Sequence, residues 1–477
     1  MFKEQIYRSY QMTRMKSQPC STETDLLLEA DRRANRYLAE IKDMDVFPKE
    51  LARSSLSHFN ADLPEIGFDA SDTLSLLDDF GSPGTVASNG ARYFGFVIGA
   101  TIPVAAAAQR MMIAWDQCAS SYTNSPSADM IEKVAARWIL DILDLPRESG
   151  VAFGTSATSS TLVCLATARR TLLLRNNWDQ DIRGLCGAPE IRVIISEKIH
   201  VTVRKALRVL GFGEQNMIVA PVDEKGRIDP SKLPQLDEMT ILCLQAGEVN
   251  TGNFDPFQPL IKVAKAANAW VHVDGAFGLW ARAAPTRRHL TDGMEMANSW
   301  TTDGHKWLNT PYDGAVGVCR DRDAMTAAMN SDAEYSSASA ESQKNLGIEF
   351  SRSARGIPFW AVLRSLGRTG IADMIERHCA LAEYVADALA EAGYNILTPP
   401  VLNQVLFTFG TGAEAAQIQS LVAANAKVWF GMTVWNQTPA MRISISSWRT
   451  DTQDVDLLIS ELAAAVQFVQ SARSDKP

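Results

Sequence analysis

Apolar and polar positions along the chain fall into three textures. From about Thr22 to Ala61, apolar residues recur at three-and-four spacing, as in TETDLLLEADRRANRYLAEI, which predicts helix. The threonine pair followed by Asp25 supplies a cap for its start. A turn-rich interval, FGSPGTVASNG, ends near Gly90, and a long helix is predicted from about Ser127 to Leu143. From about Val151 the texture changes to short β-branched or apolar runs: IRVIISE, NMIVAPV, MTILCLQA, AWVHVDG, ANSWTTDG and GAVGVCR. Helical stretches such as VTVRKALRVLG and PFQPLIKVAKAANA separate them. Buried strands alternating with helices predict an α/β fold, with a mostly parallel sheet covered on both faces. After about Gly370 the order helix, strand (QVLFTFG), helix, strand (MRISISS), helix predicts a small α+β unit. The expected organisation is a helical N-terminal segment (residues 1–95), a large α/β domain (96–370) and a small C-terminal α+β domain (371–477).

Composition narrows the class of partner. Of 477 residues, 46% are hydrophobic and 21% charged, which excludes a disordered chain. A net charge of −9 argues against nucleic acid or an anionic membrane surface as the main partner. Seven scattered cysteines, with no CxxC spacing, predict a reducing compartment with neither a disulfide framework nor a zinc knuckle. The first residues, MFKEQIYRSYQMTRMKSQ, hold no continuous apolar core of the kind a secretion signal needs. The longest apolar stretch, near Ile102 to Ala108, is too short to span a bilayer. A cytoplasmic protein acting on a small molecule is the expectation.

The chemistry concentrates in VHVDGAFGLW and, about thirty residues on, SWTTDGHKWLNTPYDG. Asp274 ends one apolar strand, and Lys306 follows a second after a short turn through Gly304. Ligands of α/β sheets bind at the carboxyl ends of strands. An aspartate and a lysine delivered there can hold the two ends of one aromatic cofactor. The amine forms a Schiff base with an aldehyde, and the carboxylate pairs with a protonated ring nitrogen, keeping the ring an electron sink. A lone strand-end aspartate is ordinarily a turn residue, and a lone lysine before tryptophan is ordinarily solvated. Their conjunction, with His305 beside the lysine and small residues after the aspartate, points to chemistry instead. His200, in RVIISEKIHVTVRKAL, follows a strand and opens a helix, and its imidazole suits both ring stacking and proton transfer. GTSATSSTLVCLATARR begins with Gly154 and continues as a helix, whose first N–H groups and hydroxyls suit a phosphate.

HVDGAFG together with DGHKWLN resembles the pyridoxal-phosphate-dependent group II amino acid decarboxylases, the aromatic-amino-acid and glutamate decarboxylase family of fold type I. The resemblance extends from about Arg92 to Arg449. It implies that Lys306 carries pyridoxal 5'-phosphate, that Asp274 pairs with its ring nitrogen, and that Ala276 and His200 press on opposite ring faces. Ser156, Ala157 and Thr158 would grip the phosphate, with Ser299 and His305 adding contacts. Tyr335, in the polar, aperiodic stretch NSDAEYSSASAESQKN, stands where the family places the loop tyrosine that protonates the substrate carbon. Arg352 matches a family arginine near the active site. Tyr93, Phe94, Phe96 and Trp115 would line a substrate pocket shared with the neighbouring subunit of a homodimer that exchanges N-terminal helices.

Two positions depart from the pattern. Glu248 stands where relatives with a QAGxVNTGxFDP segment often have asparagine, so a carboxylate is expected near the cofactor's phenolic oxygen or facing a cationic substrate. Asp303–Gly304 stands where the aromatic-amino-acid enzymes usually have Asn-Pro. The expected activity is decarboxylation of an L-amino acid to its amine, with aromatic side chains favoured by the pocket candidates. The alternatives are an aldehyde-forming decarboxylase, another carbanion lyase, and a non-catalytic cofactor-binding scaffold. Tyr335 favours simple decarboxylation, because a loop proton donor suppresses reaction with oxygen.

Overall fold

The computed structural model describes residues 22–332, 339 and 341–474. The apolar runs after Val151 assemble into one seven-stranded sheet. Its strands are β1 (Gly150–Gly154), β2 (Arg192–Ser196), β3 (Met217–Ala220), β4 (Thr240–Gln245), β5 (Trp270–Asp274), β6 (Ser299–Asp303) and β7 (Ala315–Cys319). They lie in the order β1-β7-β6-β5-β4-β2-β3. β7 runs antiparallel to β1 and β6, and every other pairing is parallel. Because side chains alternate along a strand, the sheet needs apolar residues on both faces. Val193, Ile195, Ile241 and Cys243 pack in one core with the helices Ala157–Arg175 and Val201–Val209. The alternate residues Ile194, Leu242 and Leu244 pack in another with the helix Phe257–Ala266. Each such side chain taken from water contributes roughly 1.5–3 kcal/mol before entropy is counted.

The C-terminal sheet is antiparallel, in the order β10-β11-β9-β8, from β8 (Asn395–Thr398), β9 (Gln404–Thr408), β10 (Gly431–Trp435) and β11 (Thr438–Ser444). Besides β1, which is not among the predicted runs, β8 and β10 of this sheet are strands that the hydrophobic pattern does not predict. Both are edge strands with most of their residues partly or fully exposed, so they carry too few apolar residues to stand out. The helices Gly412–Asn425 and Thr452–Ser474 pack with the second half of Gly356–Glu391 on this sheet. The helical run Gly356–Glu391 is broken at Gly367, which takes φ 61, and residues 370 and 371 fall inside it.

At the other end, the helix Glu23–Glu40 starts at Thr22, whose hydroxyl and backbone N–H are both bonded reciprocally with Asp25. The predicted helix to Ala61 does not run through. It stops at Glu40 and resumes only at Glu50–Ser55, after Pro48, whose ring disfavours helical backbone in the residue before it. No residue of Glu23–Glu40 is buried. Among the described residues, no helix is long and apolar enough to cross a membrane.

A strap, residues 93–102, ties the two sheets together. Phe94 N–H donates to Trp429 O (2.7 Å), and Ser444 N–H donates to Phe94 O (2.9 Å). Farther along, Gly99 N–H donates to His305 O (3.3 Å), and Ile102 N–H donates to Asn309 O (2.9 Å). A side chain at Gly99 would stand 2.0 Å from the carbonyl of Lys306, so only glycine lets the strap approach this closely.

Candidate active site

β4, β5 and β6 end side by side, and the last residues of β4 and β5, Gln245 and Asp274, line a cleft. Gln245 and Asp274 are register partners, and Asp274 is in turn beside Thr301. The turn after β6 brings Lys306 back over this edge. Gly304 makes the turn possible, since a Cβ there would lie 2.4 Å from the Phe359 ring. The cleft has a volume of about 850 Å³, its mouth included, and Lys306, Asp274, Ala276 and His200 all line it.

Asp274 accepts one backbone hydrogen bond, from Ala276 N–H at 3.1 Å. Burial pushes its carboxyl above the usual range, while the charges of His200 and Lys306 pull the other way. A buried carboxylate with so little support calls for a cation against it. His200 is the N-cap of Val201–Val209, and its backbone N–H donates to Gln245 Oε1 (3.1 Å). Its Nδ1 lies 2.7 Å from Thr202 Oγ1 and accepts from Thr202 N–H at 3.4 Å. A backbone N–H can only donate, so Nδ1 is the acceptor and the neutral ring carries its proton on Nε2. Burial holds the imidazole below its ordinary pKa, with Asp274 opposing the shift.

Lys306 Nζ is 3.0 Å from Asp303 Oδ2. The other oxygen of Asp303 accepts from Ala157 N–H at 2.6 Å, which sets the N-terminus of the helix Ala157–Arg175 beside the lysine. Ser156 caps that helix, its hydroxyl accepting from Ser159 N–H at 3.3 Å, and Thr158 lies in its first turn. His305 accepts Gly314 N–H on Nδ1 (3.2 Å) and stacks on Tyr312, ring centroids 4.3 Å apart.

Several expected residues stand elsewhere. Ser299 is at the opposite end of β6 from Lys306, fully buried, with its hydroxyl bonded to Trp270 Nε1 (3.0 Å) and His272 Nδ1 (2.9 Å). Phe94 is buried in the C-terminal core, and Trp115 ends the helix Pro103–Trp115, half-exposed and outside the cleft lining. Arg352 is spent on Glu132 in a bidentate ion pair of 2.6 and 2.8 Å, both side chains 1% exposed. Removing either partner would strand a buried charge. Glu248 does not face the cleft as a free carboxylate. It accepts hydrogen bonds from Asn250 N–H and Nδ2 and from Thr251 N–H and Oγ1, all at 2.8–3.0 Å, and so closes its own loop. Tyr93 stacks on Trp429 at 5.0 Å, and burial pushes its phenol up to about 12. Of the four aromatic candidates Phe96 alone lines the cleft, on left-handed backbone (φ 51) that bulky residues rarely adopt. Tyr335 lies outside the described residues.

The cleft also contains groups that the sequence did not single out. Arg442, from β11, donates through Nη1 to Val249 O (2.7 Å) and lines the cleft with Phe277 and Tyr312. An arginine among the buried residues of MRISISS was the available signal. Gln245 is 4% exposed, and its Nε2 has no hydrogen-bond partner. That amide, the Asp274 carboxylate with its single backbone hydrogen bond and the Lys306 amine together fit a planar cofactor with a cationic ring atom, polar substituents and an aldehyde.

The pyridoxal-dependent decarboxylase conserved domain matches residues 95–409. The chain belongs to that family. Among decarboxylases it is 25% identical to tryptophan decarboxylase 1 of Oryza sativa subsp. japonica over 409 residues, 80% of this chain and 79% of that protein. It is 27% identical to phenylacetaldehyde synthase of Petunia hybrida over 311 residues, 60% of each. The crystal structure of Oryza sativa TDC with PLP and tryptamine has a TM-score of 0.86 at 22% identity, covering 94% of this chain and 99% of that one. Mouse CSAD gives 0.85 at 18% identity, over 92% and 98%. The fold is that of the type I pyridoxal enzymes. This decarboxylase is a carboxy-lyase of amino acids, with pyridoxal phosphate as its cofactor.

Proposed function

We propose that this decarboxylase converts an aromatic L-amino acid to its amine, working as a cytoplasmic homodimer. The observation that carries the reading is the composition of the cleft. Phe96, Phe277 and Tyr312 offer ring surface, and Arg442 offers one guanidinium. Among the described lining residues, Lys306 and Arg442 are the only lysine and arginine. With Lys306 reserved for the cofactor, one cation remains for the substrate's α-carboxylate and none for an acidic side chain. Glu248, being engaged in its loop, leaves no free carboxylate there for a diamino acid. The similarity to tryptophan decarboxylases supports the same choice.

When bound, pyridoxal phosphate supplies an aldehyde for the amino group and a ring that accepts the electron pair left by carbon dioxide. Lys306 contributes the primary amine of the cleft, and Asp274 holds a proton on the cation it faces. His200 presents Nε2–H from one side, while Ala276 stands on the strand-end turn behind Asp274. Ser156, Ala157 and Thr158 offer the helix N-terminus to the phosphate, with His305 close by. Arg442 orients the α-carboxylate. A panel of aromatic, acidic and diamino L-amino acids, assayed for carbon dioxide, amine and hydrogen peroxide, tests the proposal. Aromatic substrates should give amine equal to carbon dioxide without peroxide. A preference for glutamate or a diamino acid would overturn it.

The match to phenylacetaldehyde synthases keeps aldehyde formation as a second reading, and Tyr335 separates the two. Tyr335→Phe should leave cofactor and substrate binding intact and slow amine formation by about 10²-fold or more. Without that proton donor, oxygen should be consumed and aldehyde, ammonia and peroxide released. Wild-type amine production without peroxide would transfer the donor's role to His200.

The dimer is supported by apolar surface that this chain leaves uncovered. Leu27, Leu28 and Leu38 are exposed on Glu23–Glu40, as are Met111 and Ile113 on Pro103–Trp115. Light scattering at micromolar concentration should give twice the chain mass, and a stable, active monomer would contradict the proposal. A cytoplasmic location is supported by six free cysteines among the described residues.

A further inference from the structure

We propose that Asp303 is a built-in competitor for the cofactor's phosphate, making cofactor loading in this enzyme reversible and sensitive to the charge at one side chain. The inference rests on the reading that residues 156–158 receive the phosphate.

One carboxylate engages both groups that an incoming pyridoxal phosphate needs. Asp303 Oδ1 takes the Ala157 N–H at 2.6 Å, the first amide of the helix Ala157–Arg175. Its Oδ2 holds the Lys306 amine at 3.0 Å, and His305 Nε2 stands 3.7 Å from Oδ1. The free N–H groups of a helix start carry partial positive charge and attract anions. Asp303 is the anion already there. It belongs to the sheet itself, as the last residue of β6, with its backbone N–H bonded to Ala276 O (2.8 Å) and its carbonyl accepting from Trp280 Nε1 (3.1 Å). Its backbone is therefore fixed, and its carboxylate is held by the Ala157 N–H and the Lys306 amine. Being 2% exposed, its charge is only weakly screened by solvent.

Two consequences act in the same direction. Cofactor attachment takes the ammonium of Lys306 away from Asp303, so the carboxylate loses its counterion. The phosphate then arrives beside that carboxylate, and like charges a few ångströms apart in a poorly solvated site repel. Both effects favour the unloaded enzyme. They also differ in what they recognise: the first acts on any pyridoxal aldehyde, the second on the phosphate alone.

Asp303→Asn keeps the shape and an oxygen for the Ala157 amide while removing the charge. The test is an absorbance titration of the full-length enzyme, freed of cofactor by dialysis, with pyridoxal phosphate and separately with pyridoxal. The variant should bind pyridoxal phosphate at least about fivefold more tightly. Pyridoxal should gain less, so the preference for the phosphorylated form over pyridoxal should rise. Asp303→Ser, which also retains an acceptor without charge, should shift the preference the same way and stands in if the asparagine variant is insoluble. An unchanged or smaller preference in the soluble variants would overturn the role of Asp303. If neither the wild type nor the soluble variants prefer pyridoxal phosphate to pyridoxal, it is the phosphate reading of residues 156–158 that fails, and the inference falls with it.

Discussion

Lys306→Ala is expected to leave no measurable decarboxylation and to abolish the visible absorption of the cofactor-loaded enzyme. Lys306 is the lysine that the turn after β6 carries into the cleft, next to Asp303 at 3.0 Å and near Asp274. No other lysine lines that cleft among the described residues. A primary amine at another site cannot reach the same aldehyde, because the strap at Gly99 and the packing of Gly304 on Phe359 fix the turn. The substitution leaves Asp303 without its ammonium partner, so folding should be checked by circular dichroism. A folded variant that still turns over substrate would mean that Lys306 does not carry the cofactor.

The second large effect is expected at Asp274. Asp274→Ala should lower the rate by about a thousandfold and weaken cofactor binding, since it removes the negative charge against which a ring cation is held. The group is buried at the end of β5, with one backbone hydrogen bond, and burial raises its pKa. That shift describes a carboxylate without a tight counterion, so a permanent cation beside it should bring the pKa down. Asp274→Asn should fall near the alanine variant, because the amide matches the shape and lacks the charge. Steady-state rates and cofactor titration on both variants check this. Wild-type rates in either would mean that another group fills the role.

The hydrophobic pattern carried the fold far because the large sheet is buried on both faces. β2, β4, β5 and β7 are mostly apolar runs, and such runs are visible in a sequence, whereas β6 (SWTTD) is buried throughout but mostly polar. β10, with alternate residues exposed at a sheet edge, left no comparable trace. Asp274 and Lys306 are legible as site residues for a geometric reason, namely that Asp274 ends the strand β5 and Lys306 follows the end of β6 by a short turn.

Ser299 shows where the same reasoning stops. It lies on the strand that leads to Lys306, but five residues of strand span roughly 13 Å or more, which puts it at the far edge of the sheet. Arg442 shows the converse. It is far from Lys306 in sequence and reaches the cleft only because the C-terminal sheet docks on the 247–253 loop, through its own bond to Val249 O and that of Thr433 to Asn250. The partners of Arg352 and Glu248 are not legible in the sequence, because a charged residue in a motif says nothing of what it pairs with. Each is satisfied by a neighbour, Glu132 in one case and residues 250–251 in the other.

Whether Lys306 holds the cofactor is read directly by borohydride reduction of the cofactor-loaded enzyme, followed by mass analysis of its peptides. Reduction fixes the cofactor to the amine that holds it. A single modified peptide is expected, containing HKWLN with the added mass on Lys306, and that signal should be lost when substrate is present during reduction. Modification of a different lysine, or none in an enzyme that decarboxylates, would contradict this role of Lys306.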